Sequence, residues 1–300
     1  MASSVAALVG PTAAGKSEVA TQVALAIDAE IVAVDAFTIS RGMDIGTAKP
    51  DPSSPVRHHM IDLLDPEQKC TAQWFQRRAR AVIDEVRSRG RSALLVGGSG
   101  LYFRAVVDPL DFPPTDAAVR AALEQRLPDA DAVGAALRMV DPVSAERIDP
   151  ANTRRMIRAL EVHEISGRPF SEWQVAWDRY TSRYDGLVVA GLHVDRATLT
   201  RRITERVDTM LAAGWLEEAA ALKDRPLSRT ASAAIGYAEL WDHLDGRLTL
   251  AEARERMCAR TRRYAVRQQR WFARDPRVRW MSPSEAVAWR PDRAPLQSDR

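Results

Sequence analysis

Residues Gly10 to Ser17 read GPTAAGKS, and this stretch constrains the fold more than any other. It fits the pattern G-x-x-x-x-G-K-[ST], in which consecutive backbone N–H groups wrap a di- or triphosphate while a Lys ammonium and a Ser/Thr hydroxyl complete the site. Such a loop requires a strand before it and a helix after it. Both are legible: Val5 to Val9 is a short apolar run, and Glu18 to Ile27 has helical spacing. Glu30 to Val34 then reads as a buried strand ending at Asp35, and Ala93 to Val96 as another, entered from a helical stretch over Ala72 to Arg89 and left through Gly97-Gly98-Ser99-Gly100. Strands alternating with helices predict an α/β fold, a phosphate-loop doubly wound parallel sheet, whose ligand sits at the carboxyl ends of the strands. Asp35 and Ser99 are therefore expected to look toward the phosphate loop.

After DPLDFPPTD (108–116) the periodicity becomes helical, Ala/Arg-rich and without a clear strand up to about Trp177, and sheet-like sequence returns at Leu187 to Val194. The expected organisation is a discontinuous core, 1–111 with 184–300, interrupted by a helical insertion domain over 112–183. A helix from Arg196 to Gly214 carries Leu199, Ile203, Val207 and Leu211 on one stripe, with Arg202 and Arg206 beside it.

Charge is modest overall, +3, but uneven: residues 251–280 hold ten Arg against three acids. On a helix from Leu250 to about Ala273, Arg256, Arg260, Arg263, Arg267, Arg270 and Arg274 fall in one narrow sector. Like charges stacked on one ridge repel, so the ridge points to a polyanion, with nucleic acid favoured over a merely solvated face. Cys70 and Cys258 lack metal-ligand spacing and read as reduced thiols, the N-terminus has no positive leader, and no apolar run approaches a membrane span. A cytoplasmic chain without membrane partners, acting as a monomer, is expected.

The loop alone leaves the chemistry open between phosphoryl transfer, as in a small-molecule kinase, and expulsion of a diphosphate as leaving group. Further motifs narrow the choice: VDAFTISRGMDIGTAKP (34–50), HHMIDLLDP (58–66), VGGSGLYF (96–103), RALEV (158–162), AIGY (234–237) and TRRYAVRQQRWF (261–272). Together with the phosphate loop they resemble the tRNA dimethylallyltransferases, also called tRNA isopentenyltransferases, over nearly the whole chain. The resemblance implies transfer of the allyl group of dimethylallyl diphosphate to N6 of the adenosine at tRNA position 37, with Mg²⁺ as cofactor and the anticodon stem-loop as partner. An adenine-nucleotide prenyltransferase or a phosphate-loop kinase stands as the alternative.

By that resemblance Asp35 is the general base, while Arg206 and Thr12 act on the departing diphosphate. Gly10, Pro11, Thr12, Ala13, Ala14, Gly15, Lys16 and Ser17 bind the diphosphate, and Ser17 the metal. Asp35, Ala36, Phe37, Thr38, Ser99, Arg120, Arg154, Arg155, Arg158, Gly236 and Tyr237 fall where the family meets tRNA, with Arg263 and Arg267 representing the arginine ridge. The chain departs from the family pattern at Ala36, where Ser is usual, at Ser40, where Tyr is common, and at Ala238, where a basic residue often stands. Phe37 reads equally as a stacking partner for the acceptor base or as core.

Overall fold

A computed structural model describes residues 4–291, apart from the side chains at positions 175 and 178; the outer ends of the expected core, 1–3 and 292–300, lie outside the described residues. Two compact units are formed, one from residues up to Asp108 together with those from Ser182 onward, the other from Pro109 to Thr181.

The first unit is built on a six-stranded sheet. Strand β1 (Val5–Val9) leads into helix α1 (Lys16–Ala26), β2 (Ala29–Ala33) and the two-residue β3 (His58–His59); α2 (Ala72–Ser88) precedes β4 (Ser92–Gly97) and α3 (Gly100–Val107). The order is β3-β2-β4-β1 followed by two later strands, β5 (Val188–Leu192) and β6 (Val278–Met281), and every pairing is parallel. The two-residue side-chain period of a strand explains how both faces are covered. Val5, Ala7, Val9, Val32 and Leu95 pack on one face with Phe75 and Ile83 of α2 and Phe103 of α3; Ala6, Leu8, Ile31, Leu94 and Ala190 pack on the other with Val19 and Val23 of α1. This is the doubly wound arrangement expected from the alternating pattern.

In the second unit α4 (Ala117–Arg126), α5 (Ala130–Val140), α6 (Pro142–Arg147), α7 (Thr153–Ser166) and α8 (Phe170–Trp173) enclose a small core of Leu123, Val133, Leu137, Ile157 and Leu160. Each of α4, α5 and α6 starts from an Asp whose carboxylate accepts first-turn N–H groups: Asp116, Asp129 and Asp141.

Back in the first unit, α9 (Arg196–Ala212), α10 (Trp215–Leu222), α11 (Arg229–Ser232), α12 (Tyr237–Leu244) and α13 (Leu250–Phe272) follow β5, and the short α14 (Pro283–Val287) follows β6. Met43, Val207, Trp215, Tyr237, Leu240 and Met257 form a further core among these helices. Helix α13 begins at a capping box: Thr249 accepts the Glu252 N–H and Glu252 accepts the Thr249 N–H.

Candidate active site

The carboxyl ends of three neighbouring strands converge. β1 delivers the phosphate loop, β2 delivers Asp35 and β4 delivers Gly97-Gly98, and together with α9 and α13 they bound a cleft of about 390 Å³. Left-handed backbone at Ala13 (φ 61°) and Gly15 (φ 90°) bends the loop into the N-terminus of α1, the end of a helix that favours an anion. Lys16 arches back over the loop, donating from Nζ to the Pro11 carbonyl oxygen at 2.6 Å. Ser17 follows on the exposed side of the first turn.

Three ionisable groups face one another there. Burial lowers the Lys16 ammonium to about 8, and the neighbouring Arg206 guanidinium acts in the same direction, while Asp35 opposes them. Asp35 is pushed up by burial, against the N–H of Phe37 (2.9 Å to Oδ1) and the charges of Lys16 and Arg206. Burial likewise lowers Arg206, and Asp35 partly restores it. Two cations around one carboxylate leave the cleft with a net affinity for anions.

Thr12 joins the cluster through its backbone. Its N–H donates to Gln268 Oε1 at 2.9 Å, and Gln268 Nε2 donates to the Gly98 carbonyl oxygen at 2.9 Å, so one buried side chain of α13 ties the phosphate loop to the loop after β4. Thr261 and Tyr264 lie on the same face of α13 and also line the cleft. Thr261, Tyr264 and Gln268 belong to the TRRYAVRQQRWF motif, within which only their spacing of three and four residues marks them for one face.

Of the residues expected to meet the acceptor, Asp35, Phe37 and Thr38 line the cleft. Phe37 also packs against two core clusters, as its core alternative expects. Thr38 is buried, and its Oγ1 has no hydrogen-bond partner among the described residues. Ala36 is buried beside them. Ser99 precedes α3 as its N-cap without a side-chain capping bond, which leaves the hydroxyl uncommitted to the helix. Gly236 and Tyr237 are buried instead of exposed: the Tyr237 ring is 0% accessible and its hydroxyl donates to Glu218 Oε1 at 2.7 Å. Glu218 is a second feature the sequence hides, since its carboxylate also accepts the N–H groups of Asp44 (2.6 Å), Ile45 (2.8 Å) and Gly46 (2.9 Å) from the RGMDIGTAKP loop.

The arginine ridge is on the outer side of α13. Arg263, Arg267 and Arg270 are exposed, Arg267 lying 5.7 Å over the Tyr264 ring, whereas Arg260 is withdrawn into an ion pair with the buried Glu239 at 2.6 Å. In the helical unit Arg120 and Arg158 converge on Glu161, which is wholly buried, at 2.7 and 2.8 Å. Arg158 also donates to the carbonyl oxygens of Pro114 (2.7 Å) and Pro113 (2.9 Å). Burial would raise Glu161, but hydrogen bonds from the two arginines hold it below the usual carboxylate range. Arg154 and Arg155 are exposed in the first turn of α7.

Among the described residues no helix is long and apolar enough to cross a membrane, and both cysteines are free thiols.

Known proteins resemble this chain in sequence and architecture. The chain is 48% identical over 285 residues to a tRNA dimethylallyltransferase of Kocuria rhizophila, spanning 93% of this chain and 89% of that one. To the protein of the same name from Geobacillus kaustophilus it is 45% identical over 293 residues, spanning 95% and 92%. Among solved structures, the full-length tRNA isopentenylpyrophosphate transferase of Bacillus halodurans superposes with a TM-score of 0.69 at 36% identity, covering 95% of this chain and 93% of that one. A eukaryotic dimethylallyltransferase acting on tRNA shares the fold, with a TM-score of 0.81 at 24% identity over 94% of this chain and 74% of that one. The family pattern described as IPP transferase runs from residue 38 to 275, through the cleft, the helical unit and the arginine helix, and by that span the chain belongs to the IPP transferase family.

Proposed function

We propose that the protein transfers the dimethylallyl group of dimethylallyl diphosphate to N6 of the adenosine at tRNA position 37 and releases diphosphate. One observation carries this reading: a single cleft pairs a phosphate loop and two cations, fitted to a diphosphate, with a carboxylate that burial has made more basic. The names of the relatives at 45–48% identity support the same activity.

In the proposed step the N6 lone pair attacks C1 of the allyl chain, the C1–O bond breaks, and the electron pair leaves with the diphosphate. The exocyclic amine is a weak nucleophile because its lone pair is delocalised into the ring. Asp35 takes the N6 proton as the C–N bond forms, a contribution of about 10²–10⁴ in rate. Lys16, Arg206, the loop N–H groups and Thr12 hold the oxygens on which negative charge builds, stabilising the transition state more than the ground state. The Ser17 hydroxyl beside Lys16, with the substrate's own phosphate oxygens, is proposed to hold Mg²⁺. The described residues contain no cluster of three His, Cys, Asp or Glu for a protein-only cage, and a magnesium ion carried largely by substrate phosphates and water fits that donor set. Bound there, the ion would offset charge on the leaving group.

The acceptor base must leave the anticodon stack to reach Asp35, at a cost of about a few kcal/mol. The unpartnered Thr38 hydroxyl, Phe37, Ala36 and Ser99 are proposed to receive it. Arg263 and Arg267 on α13, with Arg154 and Arg155 on α7, are proposed to hold phosphates of the stem-loop; Arg120 and Arg158 would reach RNA from their braced positions on Glu161. Gly236 and Tyr237 are proposed to act through the wall of the cleft. Every group invoked comes from one chain, so a monomer is proposed to suffice, in the reducing cytoplasm that two free thiols fit.

Incubating the protein with Mg²⁺, dimethylallyl diphosphate and unmodified tRNA, followed by nucleoside analysis, tests the proposal. N6-dimethylallyl adenosine is expected, with one diphosphate released per transfer. Phosphate on the acceptor, or no tRNA product, would overturn it.

A further inference from the structure

Helix α9 contributes both a guanidinium and apolar side chains to the cleft, with Ile203, Arg206, Val207 and Met210 along its wall. Near its start, Arg202 Nη1 lies 3.4 Å from the Ala14 carbonyl oxygen of the phosphate loop. Arg206 follows one turn later, Met210 a turn after that, and the helix ends at Ala212 so that Trp215 opens α10; Arg206, Val207, Met210 and Trp215 all line the cleft. At 1.5 Å per residue Arg202, Arg206 and Met210 stand about 6 Å apart along the axis, and Trp215 follows beyond the helix end, after the left-handed Gly214. C-terminal to Arg206 the α9 wall is apolar, through Val207 and Met210, and the Trp215 indole lines the same cleft. From its oxygen to its terminal methyl a dimethylallyl group is four bonds long, roughly 5 Å end to end once the bond angles shorten the sum of about 1.5 Å bonds. That length matches the rise from Arg206 to Met210, and a chain twice as long would have to pass Met210 toward Trp215, which lines the same cleft.

The indole has no room to yield. It is 3% exposed. A Cβ on Gly46 would lie 2.2 Å from its Nε1, and a Cβ on Gly236 would lie 2.1 Å from its Cζ2, so the ring is gripped between two positions that must stay glycine. The Tyr237 ring meets it nearly edge-on, with centroids 6.1 Å apart. Glu218 locks both sides at once, accepting the N–H groups of residues 44–46 and the Tyr237 hydroxyl.

The geometry points to Trp215, wedged between Gly46 and Gly236 and locked by the Glu218 carboxylate, as the residue that limits the transferred chain to five carbons. This inference rests on the prenyl-transfer reading above. It gives the buried Tyr237 and Gly236, which do not line the cleft, a role in supporting its wall.

The test compares dimethylallyl diphosphate with the ten-carbon geranyl diphosphate, by kcat/KM with tRNA and separately by equilibrium binding of each diphosphate. Wild-type protein is expected to prefer the shorter donor by at least 100-fold. Trp215→Ala should move that ratio toward geranyl by tenfold or more, Trp215→Phe by a smaller factor in the same direction, and Glu218→Gln likewise, because an amide nitrogen cannot accept the loop N–H groups. A ratio within twofold of wild type in folded Trp215→Ala would overturn the inference. If that variant does not fold, unchanged ratios in Trp215→Phe and Glu218→Gln would do so, as would a wild type indifferent to chain length. Protein that binds dimethylallyl diphosphate selectively but transfers nothing to tRNA would refute the proposed activity and leave the wall intact.

Discussion

Asp35 and Lys16 have opposite requirements, and their surroundings shift both toward neutrality. Asp35 must be ionised to take a proton, and burial raises it; Lys16 must be charged to hold a diphosphate, and burial with Arg206 lowers it to about 8. The kcat/KM for the donor is therefore expected to fall on the acid side above the usual carboxylate range, and on the basic side about tenfold per pH unit beyond about 8. Bound diphosphate favours the charged ammonium, so the basic limb should move upward in the kcat profile. A pH series of both parameters checks this, and a basic limb equally placed in the two would remove Lys16 as its origin. Asp35→Asn, nearly isosteric, should lower kcat by about 10²–10⁴ while the donor dissociation constant, measured by calorimetry, changes little. A large loss of donor affinity with normal turnover would instead make Asp35 a phosphate-side or metal-side group. These residues were legible because a phosphate loop is contiguous and a strand-ending Asp is local. Gln268 and Glu218 were not: they act across 256 and 172–174 residues, and neither residue type signals such a role in isolation.

At the scale of elements, α13 shows what a periodic pattern does and does not disclose. Its length and its six aligned arginines followed from spacing, and the helix runs Leu250–Phe272 as that spacing predicts. The pattern could not separate Arg260, spent on Glu239, from Arg263 and Arg267, which have no acidic partner within salt-bridge distance among the described residues, because the distinction depends on what packs alongside. Replacing Arg263 and Arg267 by Ala should weaken tRNA binding and flatten the slope of log affinity against log salt by roughly 0.7–0.9 per lost phosphate contact. Binding titrations at several salt concentrations measure it, and an unaltered slope would return the ridge to solvated surface. β3 and β6 escaped the sequence pattern because two and four residues of mixed polarity carry no usable alternation. Between α4 and α7, Glu161 joins elements through buried charge. Glu161→Gln leaves Arg120 and Arg158 without a counter-charge, a loss of about 1–3 kcal/mol once the arginines' partial access to water discounts the cost of breaking a buried pair. Thermal unfolding should show the helical unit destabilised, and an unchanged midpoint would contradict it.

Over the whole molecule, the change from alternating strands to helical periodicity anticipated an α/β sheet interrupted by helices, and the parallel order β3-β2-β4-β1-β5-β6 places the phosphate loop at the middle of the sheet. The packing consequence is that cores are separately supplied. The clusters around the sheet and under α12 draw on residues up to Asp108 and from Ser182 onward, and the cluster of Leu123, Leu137, Ile157 and Leu160 draws on the intervening helices. A unit with its own core can open by its own equilibrium. Every residue lining the cleft belongs to the sheet-bearing unit, so dimethylallyl diphosphate should stabilise that unit selectively. At a donor concentration 100 times the dissociation constant the stabilisation is about 2.7 kcal/mol, which slows exchange about 100-fold for amides that open only with the unit. Hydrogen exchange followed by mass spectrometry is expected to show this protection in β1, β4 and α9, while α5 and α7 exchange at their unliganded rates. Equal protection in both sets would mean that the chain opens as one cooperative body, and that the donor's binding energy is shared with the helical unit before any tRNA arrives.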